Sequence, residues 1–368
     1  MTNVKHKNVF QMLEAWAPKS LAYDWDNVGL QVGSNSTLTK GVLVTLDVTE
    51  AVVDEAIAND INLIIAHHPM IFRPLKSIDF DSFKGKVIKK LIQHDITVYA
   101  SHTNLDIARG GVNDLLSDSL NLTNTKPLLP TQTERLVKLV VFTPVPYVEQ
   151  VVDALSDAGA GHFGNYSHCT FQSPGKGTFK PLEGTQPFIG TQNEIEQVEE
   201  KKIETIVREQ DLPNVLQAMT EAHPYEEVAY DLIKLKNKGE SLGIGRIGSL
   251  KESITLEKFI ELVKKNYEVD QLRYVGELNQ EVKKVAILGG SGEKYIDAAL
   301  NAGADVYLTG DMTFHPAQDA KEMGLAIVDP GHYIEKIMKR ATKQFIENKY
   351  PKLKVFESKV NTEPFMFM

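Results

Sequence analysis

Apolar residues in this chain follow two rhythms. After an amphipathic stretch at Val9–Trp16, short β-rich runs alternate with segments of helical spacing: Val42–Leu46, Ala51–Ala58, Leu63–Ile65, Val87–Gln93 and Thr97–Tyr99. Strands separated by helical spacers predict βαβ units, with parallel strands and functional residues at the strand ends. The rhythm returns at Val285–Leu288, Val306–Leu308 and Ala326–Val328. In both places the first and second runs start 21 residues apart (Val42 to Leu63, Val285 to Val306). That interval fits one strand plus a crossover helix and suggests an internal duplication. If Thr97 corresponds to Ala326, then Asp106 corresponds to Glu335, because each lies nine residues further on.

The middle of the chain reads differently. Val137–Phe142 is strand-like, Tyr147–Ala158 helical and His168–Gln172 strand-like, followed by a Gly- and Pro-rich stretch, SPGKGTFKPLEGTQPFIG. Strand Ile203–Val207, helix Leu212–Glu221 and strand Glu227–Ile233 complete a βαββαβ order, the split ferredoxin-like pattern. The flanks TNTKPLLPTQTE and KNKGESLGIG have linker composition. The expected layout is an α/β core in two halves, residues 1–128 and 239–368, interrupted by a small α+β domain at 129–238. Domain termini usually lie close together, which makes such an insertion tolerable.

Composition narrows the function classes. The formal net charge of −9 argues against general affinity for nucleic acid or anionic membrane. The single cysteine, Cys169, can make neither an internal disulfide nor a thiolate cage, so the cytoplasm is the expected compartment. The N-terminus has no signal-peptide pattern, and no run of about 18 apolar residues predicts a membrane span.

Three segments carry candidate chemistry, each directly after a predicted strand. In IIAHHPMIF, His67 and His68 can reach into the crevice at a sheet's C-terminal edge. Neighbouring side chains of an extended segment point apart, so the two could serve two metals, or one could orient the other. The alternative is a strand-to-turn junction closed by Pro69, with exposed imidazoles. In YASHTNLDIARGGVNDLL, Asp106 can be a hard ligand or bridge two cations; otherwise it caps a helix. In AIVDPGHYIEKIMKR, His332 and Glu335 are three apart at a predicted helix start and share a face. They can bind one cation together, or form a surface pair beside Lys336. Together, three imidazoles and two carboxylates without a thiolate suit two divalent ions, with Zn, Mn and Fe(II) all admissible.

Softer features surround these. LTGDMTFHPAQDA offers Asp311 and His315 as orienting groups or general acid/base, and His102 lies four residues before Asp106. Asp311 could equally cap the next helix, with His315 on its surface. In LAYDWDNVGLQVG, Asp26 can hydrogen-bond a ligand imidazole or only shape a turn. ILGGSGEK lacks the spacing of a nucleotide fingerprint. In AHPYEEVAYD, His223 and Glu226 can hold a ligand, or Pro224 and Tyr225 simply shape the junction.

WDNVGLQVG, AHHP, SHTNLD, TGDMTFH and DPGHYIEK, in this order, resemble the Nif-three-like family, whose members are also known as homologues of the type 2 GTP cyclohydrolase I. The resemblance implies an α/β core of two related halves with a dinuclear metal site in a cleft. It implies His67, His68, Asp106, His332 and Glu335 as ligands of two divalent ions, zinc first, iron or manganese otherwise. GHFGNYSHCTF and HPYEEVAYD resemble the PII- or CutA-like insertion of longer bacterial members. Related proteins assemble as toroidal hexamers, which implies a homohexamer here. The implied activity is metal-dependent hydrolysis of a nucleotide or related heterocycle, such as opening of the guanine imidazole ring of GTP. His102, His315 and Asp311 are then the candidate catalytic groups. The competing expectation is a non-catalytic, metal-binding regulator or adaptor assembled as a ring.

Overall fold

A computed structural model describes residues 3–366. The chain divides into two compact units: one built from residues up to Gln132 and from Leu242 onward, the other Thr133–Ser241.

The first unit opens with α1 (His6–Trp16), β1 (Gly29–Val32), β2 (Val42–Thr45), α2 (Glu50–Ala58), β3 (Leu63–Ala66), α3 (Phe83–Gln93), β4 (Thr97–Ala100), α4 (Thr103–Ile107) and α5 (Val112–Ser119). All four residues of β2, of β3 and of β4 are buried, as expected for parallel strands covered on both faces. Alternate residues go to opposite sides. Val42, Val44, Leu63, Ile65 and Tyr99 join one core, whereas Leu43, Ile64, Ala66 and Val98 join a second, beneath α2 and α3. Thr49 caps α2 by accepting from the Val52 amide, and Ser82 caps α3 by accepting from that of Gly85.

The chain then runs through β5 (Thr123–Pro144), α6 (Val148–Asp157), β6 (Thr170–Phe179), β7 (Glu196–Arg208), α7 (Leu212–Ala222) and β8 (Tyr230–Thr255). It returns with α8 (Leu256–Tyr267), β9 (Arg273–Val275), β10 (Glu281–Ser291), α9 (Ile296–Asn301), β11 (Val306–Gly310), α10 (Phe314–Glu322), β12 (Ala326–Asp329), α11 (Ile337–Lys349) and β13 (Val355–Glu357).

Within the first unit one strand order occurs twice. β1-β4-β3-β2 and β9-β12-β11-β10 each place an antiparallel edge strand beside three parallel ones. Val42 pairs with Leu63 and Leu63 with Thr97; Val285 pairs with Val306 and Val306 with Ala326. The positions aligned by spacing are therefore register partners in both sheets.

In the second unit, β5 and β6 flank β7 in antiparallel pairing. Leu139, Val141, Val151, Leu155, Ile203, Val207, Val215 and Met219 form its core beneath α6 and α7.

The flanks that read as linkers are paired strand instead, the start of β5 and the middle of β8. Their glycines sit where two backbones come close. A Cβ on Gly243 would stand 2.2 Å from the Leu129 carbonyl oxygen, and one on Gly239 would stand 2.8 Å from that of Glu134. Tertiary approach, not flexibility, explains the composition. Among the described residues, no helix is long and apolar enough to cross a membrane.

Candidate metal centre

The site lies at the C-terminal ends of the two parallel sets in the first unit. Four imidazoles converge there, and each is oriented the same way. His67 Nδ1 donates to the Ser101 carbonyl (2.8 Å). His68 Nδ1 donates to Asp47 Oδ1 (2.7 Å), His102 Nδ1 to Asp26 Oδ1 (2.9 Å), and His332 Nδ1 to Asp311 Oδ2 (2.7 Å). With every Nδ1 engaged by an oxygen, the Nε2 atoms are left to face inward. Partners of this kind fix ring orientation and tautomer in metal sites.

The carboxylates come from two short helical segments. Asp106 lies in α4. His332 and Glu335 lie in a 3-10 turn, His332–Lys336, not in an α-helix. Residues three apart eclipse in a 3-10 turn, which brings Glu335 Oε2 to 3.1 Å from His332 Nε2. The same oxygen is 3.0 Å from His68 Nε2 and 3.7 Å from His67 Nε2. His67 Nε2 is 3.5 Å from Asp106 Oδ1, and the Nε2 atoms of His68 and His332 are 3.2 Å apart.

Six buried side-chain polar atoms lack a hydrogen-bond partner among the described residues, and two of them, His67 Nε2 and Asp106 Oδ1, face each other here. A buried lone pair with no donor costs roughly 1–3 kcal/mol. Because His67 spends its N–H on Ser101, its Nε2 presents a bare lone pair to two carboxylates. A cation resolves this arrangement, and the mixed imidazole and carboxylate donors suit borderline divalent ions. Three groupings have ligand atoms within 4.8 Å of one another: His67/His68/His102, His68/His332/Glu335 and His67/Asp106/Glu335.

Proton affinities show the same crowding. Burial alone would lower His68, but hydrogen bonds to Asp47 and Glu335 outweigh it and raise its pKa to about 10. Burial likewise opposes His332, which Glu335 and Asp311 raise to about 9. Glu335 is held well below the carboxylate range: burial would raise it, but the imidazoles of His332, His67 and His68 around it prevail. Burial and the charge of Glu335 push Asp106 well above that range. Burial lowers His67.

The structure brings all five expected ligand residues into one cluster and adds His102 at its edge. Asp311, at a left-handed φ of 55°, orients His332. His315 is exposed on α10 and meets the Phe314 ring, outside the cluster. In the second unit, His223 is buried and bonded to the Phe142 carbonyl, and Glu226 binds the Gln186 amide. Three contributing residues were not read from sequence. Asp47 follows β2 as the histidines follow β3, so the post-strand rule that picked the histidines would have found it. Gly289 and Gly290, in ILGGSGEK, floor the site: a Cβ on Gly290 (φ 69°) would stand 2.7 Å from Glu335 Oε1. A cleft of about 1120 Å³ opens beside Asp311 and His332, with Arg273, Tyr274, Phe314 and Phe365 in its walls.

The sequence profile of Duf34/NIF3 (NGG1p interacting factor 3) matches residues 4–364. The chain belongs to the DUF34/NIF3 family. A GTP cyclohydrolase 1 type 2 homolog of Halalkalibacterium halodurans is 54% identical over 366 residues, covering 98% of each chain. One from Bacillus subtilis is 49% identical, covering 100% of this chain and 99% of its own. The crystal structure of a Bacillus cereus protein related to NIF3 matches with a TM-score of 0.91 at 50% identity, covering 100% of both chains. The mixed α/β fold with two sheets is thus that of NIF3 proteins.

Proposed function

We propose that this DUF34/NIF3 chain is a dinuclear metal-dependent hydrolase acting on a nucleotide or related heterocycle. The observation that carries the metal reading is the pair of buried, partnerless atoms His67 Nε2 and Asp106 Oδ1 facing each other. His67, Asp106 and Glu335 would hold one ion, and His68, His332 and Glu335 the other, with zinc favoured and iron or manganese admissible. Two bound ions would lower the pKa of water and polarise the bond under attack. The side chains of His68 and His332 are 23% and 37% exposed, so the cluster is open on one side, as catalysis requires.

His102 would take and return a proton at Nε2, because Asp26 accepts its Nδ1–H and holds that tautomer. Asp311 would keep His332 in place. His315, outside the bonded set, is given no step. Ring opening of GTP is the substrate reading taken from the relatives' name. Zinc-loaded protein is expected to release formate from GTP, and His68→Ala to reduce that release at least a hundredfold. No formate from GTP under zinc, iron or manganese would contradict this substrate.

We also propose a cytoplasmic homohexamer, and a PII/CutA-like second unit with boundaries near 129 and 238. The order βαββαβ and the strand order β6-β7-β5-β8 support the latter. A regulatory reading draws on one observation: the second unit has its own cavity of about 980 Å³, lined by Phe179, Phe188, Tyr225 and the buried Glu200.

A further inference from the structure

Beside the imidazole cluster lies an aromatic surface that neither the core nor the metal reading uses. Trp25 is 57% exposed and Phe72 42% exposed. Their ring centroids are 5.7 Å apart, and Tyr23 stacks on Trp25 at 5.6 Å. Both rings reach His102: Trp25 at 6.2 Å and Phe72 at 6.5 Å. His102 in turn lies 5.3 Å from His67 and 5.5 Å from His68. The apolar surface therefore runs without a break to the imidazoles of the candidate metal centre.

These rings are held in place while exposed. The Tyr23 amide donates to Thr103 Oγ1 (3.2 Å). Asp26 accepts from the Thr103 amide (3.1 Å) and hydroxyl (2.5 Å) as well as from His102. Trp25 is thus pinned on both sides. The Phe72 loop is tied to the same segment: Asn27 Nδ2 donates to the Ile71 carbonyl (2.5 Å), and the Ile71 amide donates to Gln31 Oε1 (3.1 Å). Rigid aromatic faces left in water beside a polar cluster mark a binding surface, and a flat π-system recovers the most from them. Stacking a base on an aromatic side chain contributes roughly 1–3 kcal/mol. Arg73 and Lys76, on the Phe72 loop, are exposed and have no hydrogen-bond or ionic partner among the described residues. They suit an anionic tail on the same molecule.

We propose that Trp25 and Phe72 form the stacking face for a planar heteroaromatic ring of nucleotide size, which sets that ring against His102 and the metal centre. The proposal rests on the reading of the site as a heterocycle hydrolase, and its test separates the two. The chain has two tryptophans, so Trp16→Phe leaves Trp25 as the sole indole emitter. Titrating this full-length, zinc-loaded variant with GTP, guanosine and inorganic tripolyphosphate should give saturable quenching with the first two and none with the third. By calorimetry, Trp25→Ala should weaken GTP binding at least tenfold and Trp25→Phe less than threefold, with zinc content unchanged in both. Zinc-replete protein whose emission is unmoved by GTP, ATP and CTP alike would overturn the stacking face and leave the metal reading standing. So would GTP binding to Trp25→Ala at unaltered affinity. Protein that holds no zinc but is still quenched by GTP would do the opposite: the stacking face would stand and the metal reading fall.

Discussion

Replacing Glu335 by glutamine is expected to lower the affinity for the second bound ion by roughly a hundredfold or more while leaving the first unit folded. Glu335 Oε2 lies within 4 Å of three imidazole nitrogens, those of His67, His68 and His332. Both proposed ion positions draw on it. Glutamine keeps the shape over Gly290 but removes the charge. In the metal-free chain that charge keeps His68 and His332 protonated, so both should titrate closer to the ordinary histidine range in the variant. Metal content after dialysis should fall from two ions per chain to one or none, and imidazole NMR signals should report the shifted titrations. Two tightly held ions in Glu335→Gln would show that Glu335 is not a shared ligand.

Metal affinity is expected to rise about a hundredfold per pH unit between pH 7 and 8.5. The sign follows from the raised histidines. His68 at about 10 and His332 at about 9 are protonated in the metal-free fold at neutral pH. An imidazolium cannot ligate, so uptake must displace both protons, and two released protons give a slope of two in log affinity against pH. The same raised values stabilise the metal-free fold fully below pH 6.5, and that contribution is lost as pH rises through 9 and 10. Metal binding and metal-free stability therefore move in opposite directions over this window. Calorimetry at pH 7.5 in buffers of differing ionisation enthalpy should count about two protons released as the His68, His332 and Glu335 position fills. No net release would mean that His68 and His332 stay outside the coordination.

Much of this was legible because one periodicity encodes both strands and their ends. VLVT, LIIA and TVYA are apolar on both faces, and residues after such strands face the crevice; His67 and His68 were found directly after β3, and Asp106 in the segment that follows β4. Asp26 as the orienting group of an imidazole was among the readings its segment allowed. Asp47 was passed over although it stands directly after the Val42–Leu46 run; what the chain order does not report is its partner, because that depends on register. Thr45 pairs with Ala66, and two residues further along each strand Asp47 comes to stand beside His68. That proximity runs across the sheet, where no spacing along the chain reports it. The glycines of KNKGESLGIG misled for a related reason. Their lack of a side chain makes room for a neighbouring backbone, which composition alone reads as a linker. The 3-10 turn at His332–Lys336 shares its i,i+3 face with an α-helix, so the pairing of His332 with Glu335 was legible although the element was not.

Five side chains drawn from separate segments must jointly hold two ions for this chemistry to operate. Anomalous diffraction from zinc-loaded crystals, collected on both sides of the zinc edge, measures this directly. Two peaks about 3.5–4 Å apart are expected, one among His67, Asp106 and Glu335 and the other among His68, His332 and Glu335. Zinc peaks elsewhere on the surface, or none, with this cluster vacant in protein soaked at millimolar zinc, would contradict it.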